Sequence, residues 1–165
     1  AGGYDLSIWA SDIYGNNDWT VVGSVNIYGP DTDTTAPSVS LVSISPTTVS
    51  TGEVATSART VTVRWTASDS SSIYRPAASS STFGAPRTYA RFYHSEHGKG
   101  VNFIDGNYSD TVLVSGDYRN GVFETTVEVP THATPGVYEL GIWGTDVFDN
   151  TSSDQPVYGY LTVTE

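Results

Sequence analysis

The residues best suited to chemistry in this sequence are carboxylates that lie far apart along the chain. Asp31 and Asp33, then Asp69, then Asp146, Asp149 and Asn150 all sit beside stretches of alternating apolar residues. Calcium takes about 6–8 hard oxygen ligands at roughly 2.3–2.6 Å, so these six residues are the candidate metal ligands and Ca2+ the candidate ion. The competing reading is that Asp and Asn at strand ends are ordinary turn formers, and both readings stand. A second set is aromatic: Tyr89, Arg91, Tyr93, Trp143, Tyr158 and Tyr160. Gathered on one sheet face, such rings would stack on a glycan or seat a cell-surface protein. Alternatively, the segment 68–86, with Ile73, Tyr74 and Phe83, folds back and covers them. A third set, His94-Ser-Glu-His97, has zinc-ligand types but no further ligand, and its flanking Gly98 and Gly100 favour a plain turn.

No Gly-x-Ser-x-Gly elbow, phosphate-binding loop or His-Glu-x-x-His helix is present. The single lysine, Lys99, falls in a turn, which disfavours an isopeptide staple. The expectation is a protein that is not an enzyme. Eighteen acidic residues against seven basic ones leave a formal net charge of −11. That balance opposes binding to nucleic acid, whose phosphates need Lys and Arg, and to anionic membrane surfaces. No apolar run approaches the ~20 residues of a membrane helix, so no membrane insertion is expected. With no cysteine, there is no disulfide or thiolate site, and stability must come from a core or a bound metal. Beginning at Ala1, the chain is expected to be a processed or excised piece of a longer polypeptide.

The elements that must position these residues are strands. Period-2 alternation recurs and no helical period does. Strands are expected at 38–45 (A), 59–67 (B), 87–94 (C), 101–104 (C′), 111–115 (D), 121–129 (E), 137–145 (F) and 157–164 (G). Val61, Val63, Trp65 and Ala67 share one face of B; Tyr138, Leu140 and Ile142 share one face of F, with Glu139, Gly141 and Trp143 opposite. One buried and one wet face per strand is the pattern of antiparallel layers. Seven or eight such strands fit an all-β, immunoglobulin-like Greek-key β-sandwich. In that path A begins where B and F end, which would gather the acidic residues at one pole.

The chain also contains a repeat. The stretch from Tyr4 to Asn16 matches that from Tyr138 to Asn150 in its Tyr, Leu, Ile, Trp, Asp and Asn, and 21–28 aligns with 157–164. Residues 1–29 therefore read as the last two strands (F-G) of a preceding module, 30–37 as a linker rich in Pro, Gly and Asp, and 38–165 as a complete module. Asp12, Asn16 and Asp18 would be the matching acidic cluster of the first copy. A lone hairpin is marginal in water, so 1–29 is expected to pair with another chain or a larger assembly.

Several motifs in order, Asp33-Thr-Thr-Ala-Pro37, Thr66-Ala-Ser-Asp69, Ser115-Gly-Asp-Tyr-Arg-Asn-Gly-Val-Phe123, Pro135-Gly-Val-Tyr138 and Asp146-Val-Phe-Asp-Asn150, resemble bacterial immunoglobulin-like repeats of large cell-surface and secreted proteins. The chain departs from the family pattern at Asp149, where Gly is usual, and in its long B–C insertion. The resemblance implies an extracellular or surface location, a role as spacer, adhesin or surface-layer unit, calcium at module junctions, and neighbouring modules of the same protein as partners. Two other functions share the fold: a carbohydrate-binding module using the Tyr/Trp face, and an accessory domain of a secreted hydrolase.

Overall fold

The computed structural model describes residues 2–27, 33–75, 85–86, 88–96, 103–105, 111–152 and 157–165. Among them the chain is β throughout, apart from one 3-10 turn at Thr56–Arg59; no helix is long and apolar enough to cross a membrane. It divides into two compact units, Ala1–Asp33 and Thr34–Glu165.

The first unit is an antiparallel hairpin of β1 (Gly2–Ser11) and β2 (Asn17–Ile27). An irregularity after Leu6 leaves Val22 as the extra residue of β2, and Trp9 faces Trp19 across the ladder. Asp12 closes the turn. Its Oδ1 accepts the Tyr14 and Asn16 N–H groups, and its Oδ2 the Asn16 side-chain amide. That amide, then the backbone donors, holds the Asp12 carboxyl below the usual range.

The second unit is a two-sheet all-β sandwich. Its strands are β3 (Ser38–Ser45), β4 (Thr48–Ser50), β5 (Thr60–Ser68), β6 (Tyr74–Arg75), β7 (Ala85–Pro86), β8 (Thr88–His94), β9 (Phe103–Asp105), β10 (Val112–Gly116), β11 (Asn120–Glu128), β12 (Gly136–Gly144) and β13 (Gly159–Thr164). One sheet runs β10-β11-β5-β3, the other β4-β13-β12-β8-β9, and β6–β7 form a small separate ribbon. Every strand expected from the alternation is present, with ends within two residues. Strand β4 was not foreseen. The chain leaves the first sheet at Ser45, passes Pro46 and pairs in parallel with β13, a distant partner that no local period announces.

The alternation decides the core. Val61, Val63, Trp65 and Ala67 of β5 pack with Phe123 and Val127 of β11, Ala90 and Phe92 of β8, Leu140 and Ile142 of β12, and Leu161 and Val163 of β13. Each large side chain so buried contributes roughly 1.5–3 kcal/mol. On the opposite face of β5, Arg64 pairs across the strand with Glu124. Two buried polar devices brace the sandwich, the first between its layers and the second within one sheet. The Trp65 indole N–H donates to Thr88 Oγ1 at 2.8 Å, and Thr88 O–H donates to the Trp143 carbonyl at 2.6 Å. Trp65 lies in one sheet and Thr88 and Trp143 in the other, so this relay joins the two layers in a chain without disulfides. The Arg59 guanidinium, 5% exposed, donates to the Val129 carbonyl at 2.6 Å and to Glu128 at 3.1 Å.

At the start of β12, the Tyr138 hydroxyl donates to the Thr134 carbonyl at 2.8 Å. Burial pushes the phenol pKa up, against the smaller pull of that hydrogen bond. Tyr138→Phe is expected to lower unfolding stability by about 1–2 kcal/mol, because the Thr134 carbonyl loses its donor while packing volume is kept. Urea unfolding with an unchanged m-value checks it; a midpoint equal to that of the parent would deny the bond any weight.

Candidate functional site

Three loops carry the acidic residues, and backbone hydrogen bonds fix where those loops lie. The loop after β5 is pinned on two sides. Asp69 N–H donates to the Arg119 carbonyl and Ile73 N–H to Tyr118, while Val147 N–H donates back to Ser72 at 3.0 Å. The turns after β5, β10 and β12 are therefore stitched together. The segment leading into β3 passes the end of β12, because a Cβ on Gly144 would lie 3.1 Å from Pro37 and 3.3 Å from Val39. Asp33 precedes that segment.

One carboxylate oxygen each from Asp33, Asp69 and Asp146 lies within 4.8 Å of the others. Oxygens bound to one calcium at about 2.4 Å can be at most about 4.8 Å apart, so the three fit a single coordination shell. Asp146 is fully buried, and Asp33 and Asp69 are half-buried. Carboxylates this close repel by roughly 3–4 kcal/mol per pair at an effective dielectric near 20, a cost that an intervening cation reverses. Asp69 and Asp146 already accept hydrogen bonds. Asp69 Oδ1 accepts the Ser71 N–H and hydroxyl at 2.8 and 2.7 Å. Asp146 Oδ1 accepts the Phe148 and Asn150 N–H groups at 2.8 and 2.9 Å, and its Oδ2 accepts the Asn150 amide at 2.7 Å.

Of the six candidate ligands, the structure thus brings three together. Asn150 braces the Asp146 carboxylate through its amide nitrogen. Asp149 stands apart from the trio: it is exposed, with φ 68°, at the left-handed position of the turn. The hairpin has Gly15, φ 80°, at the corresponding place, where no Cβ resists that conformation. Asp31 lies outside the described residues. The Asp12–Asn16 turn repeats the Asp146–Asn150 hydrogen bonds at matching distances, 2.8, 2.9 and 2.7 Å. An Asp-x-x-x-Asn turn therefore forms from local sequence alone, without the other two carboxylates. The distinctive feature of the second copy is the arrival of Asp33 and Asp69. Asp12, Asn16 and Asp18 themselves are exposed.

The aromatic set does not form an open platform at Trp143 and Tyr93. Tyr89 stacks on Trp143 at 4.8 Å between centroids and 13° between planes, and Tyr93 meets it edge-on at 5.9 Å. Arg91 lies 5.8 Å from both tyrosine rings. Trp143 and Tyr93 are each only 9% exposed. The rings cover one another, and Trp143 lies flat because Gly141 beneath it has no Cβ to obstruct the indole. Sugar stacking needs an open ring face, and Trp143 and Tyr93 do not offer one. Tyr158 precedes β13, and the alternation does not extend to it: the ring is half-buried against the core, where desolvation raises its pKa. Tyr160 is exposed. Both Thr88, which anchors the strand carrying Trp143, and Gly141, which makes room for its ring, escaped the sequence reading. Gly141 between Glu139 and Trp143 was the available signal.

His94 is buried. Its Nδ1 accepts the Glu96 N–H and its Nε2 lies 3.3 Å from the Pro135 carbonyl, an arrangement that suits a proton on Nε2. Both nitrogens are engaged in holding the turn, so this imidazole is not presented to zinc. His97, Lys99 and residues 76–84 of the insertion lie outside the described residues.

No protein-family model and no curated protein sequence matches this chain.

Proposed function

We propose that this chain is a non-catalytic, immunoglobulin-like module of a tandem array on a secreted or surface-anchored protein, serving as a structural spacer or as an adhesion or surface-layer unit. The observation that carries the reading is the duplicated hairpin. Residue pairs Gly2–Ile27, Tyr4–Val25 and Leu6–Gly23 stand in the same register as Gly136–Val163, Tyr138–Leu161 and Leu140–Gly159. A chain that writes one hairpin twice, once inside a complete sandwich, has the form of consecutive modules. The strand order favours the immunoglobulin-like assignment: β10-β11-β5-β3 corresponds to D-E-B-A, and β13-β12-β8 to G-F-C. The Tyr138–Thr134 hydrogen bond at the E–F corner adds to it.

Asp33, Asp69 and Asp146 are proposed to hold calcium, with backbone oxygens or water filling the shell. The ion would tie the incoming chain to the pole of the sandwich and stiffen that connection. Binding at 100 times Kd adds about 2.7 kcal/mol, a rise in Tm on the order of 10 °C for a module of this size. Thermal unfolding in calcium and in chelator is expected to differ by that much, and the difference to vanish in Asp69→Asn. Superimposable melting curves would remove calcium from the proposal. A glycan array is expected to show no binding; binding lost on Trp143→Ala would overturn the spacer reading in favour of carbohydrate recognition.

A further inference from the structure

The four-stranded sheet ends on β3 and β10, each paired on one side only among the described residues. An open strand edge invites a further strand, and proteins block it with charged side chains, proline or a bulge. Neither edge carries the first two: Ser-Val-Ser-Leu-Val-Ser-Ile-Ser over 38–45 and Val-Leu-Val-Ser-Gly over 112–116 contain no charged residue and no proline. The first is also rich in Val and Ile and free of glycine, a composition that stacks readily into cross-β.

What both edges carry is a bulge. Leu41 faces Trp65 and Ser43 faces Arg64, which leaves Val42 as the extra residue of β3. Leu113 faces Phe123 and Ser115 faces Val122, which leaves Val114 as the extra residue of β10. The tripeptide is the same in both places, Leu-Val-Ser at 41–43 and at 113–115. Each leucine packs against the core, and each valine stands out, 55% exposed at Val42 and 47% at Val114. The bulges flank one row of the sheet, Leu41, Trp65, Phe123 and Leu113 in succession. Every pairing from β3 to β10 is antiparallel, so the two tripeptides enter that row from opposite ends.

We propose that these matched Leu-Val-Ser bulges close both edges of the sheet to a second copy of this chain, preventing side-by-side strand addition. The reason is spacing. A partner strand needs N–H and C=O groups at the regular repeat of a ladder. The extra valine interrupts that repeat, bends the edge and increases its twist. In line, β3 then offers only 38–41 or 43–45, and β10 only 112–113 or 115–116. The core does not require either valine. Without Val42, Leu41 still meets Trp65, Ser43 meets Arg64 and Ile44 meets Val63; without Val114, Leu113 still meets Phe123 and Ser115 meets Val122. The extra residue therefore serves the edge. This proposal depends on ladder register alone, so it fails separately from the tandem-array and calcium readings.

Deletion of Val42 and deletion of Val114, each in the full chain, straighten one edge while keeping the core pairs. Both variants are expected to associate in sedimentation velocity at concentrations about tenfold or more below any that affect the parent, with slowed amide exchange in the shortened strand. Val42→Thr and Val114→Thr keep the residue count, and hence the bulge, and are expected to sediment as the parent does. Deletion variants that keep the parent's near-ultraviolet circular dichroism and also its sedimentation would overturn the proposal. So would threonine variants that associate as the deletions do, or association whose slowed amides lie in β1 or β2. The parent supplies a measurement that needs no variant: raising its concentration is expected to leave exchange in β3 and β10 unchanged, and slowed exchange there would by itself overturn the proposal.

Discussion

Thr88→Val is expected to destabilise the sandwich by about 2–4 kcal/mol, although valine has nearly the volume of threonine. The cost arises because Thr88 is fully buried between two partners: it accepts from the Trp65 indole and donates to the Trp143 carbonyl. Valine leaves the Trp65 N–H buried and unpaired, at about 1–3 kcal/mol, and removes a hydrogen bond worth about 1 kcal/mol. Against a total stability of roughly 5–15 kcal/mol, that is a large fraction for a hydroxyl. Thr88→Ser keeps the hydroxyl and gives up one methyl group, so it is expected to cost only about 1 kcal/mol. Urea unfolding of both variants checks the relay. Near-ultraviolet circular dichroism should also change in the valine variant, since the backbone carrying Trp143 loses its anchor beneath the Tyr89 stack. A valine variant as stable as the serine one would refute the relay.

The second large effect is expected at Gly116, where β10 turns into β11. Its φ is 80°, and a Cβ there would overlap the Asn120 carbonyl and lie 3.0 Å from the Gly121 Cα. The obstacles are backbone atoms, which cannot swing aside. The turn is also held by Asp117, whose Oδ1 accepts the Arg119 and Asn120 N–H groups at 2.8 and 2.9 Å. Those donors hold the Asp117 carboxyl below the usual range. Its share of stability is therefore present at neutral pH and is lost as pH falls through the lowered value. Gly116→Ala meets left-handed strain of roughly 1–2 kcal/mol and overpacking of roughly 1–3 kcal/mol, so a loss of about 2–5 kcal/mol is expected. Gly52→Ala, where the added methyl would meet only ordinary contacts at 3.4 Å and beyond, is expected to stay within about 0.5 kcal/mol. Thermal unfolding of the pair separates a backbone requirement from a general dislike of alanine; equal effects would contradict it.

How far the site was legible depends on the residue. Asp33, Asp69 and Asp146 were found by following the chain path, because a sandwich returns particular strand ends to particular poles. The same path argument includes Asp149 and Asn150, and Asp149 takes the exposed, left-handed position of its turn. The Asn150 amide nitrogen donates to Asp146 Oδ2. Trp143 and Tyr93 were placed on the correct side of their strand, yet alternation reports a side and is silent on what lies above it. The stacking that covers them arises between β8 and β12, strands about fifty residues apart in sequence, over a gap left by Gly141.

By itself, the sequence determined the local structure of this protein: which residues alternate, where turns close and which hairpin is written twice. The Asp12 and Asp146 turns close alike in different surroundings because their hydrogen bonds span only four residues. Tertiary structure alone decided which edges and faces are covered, since burial is a property of what other strands bring. Leu6 and Leu140 stand in similar stretches, Tyr-Asp-Leu-Ser-Ile-Trp and Tyr-Glu-Leu-Gly-Ile-Trp, with opposite exposure, 56% against none; β8 lies beside Leu140 and a second sheet across from it.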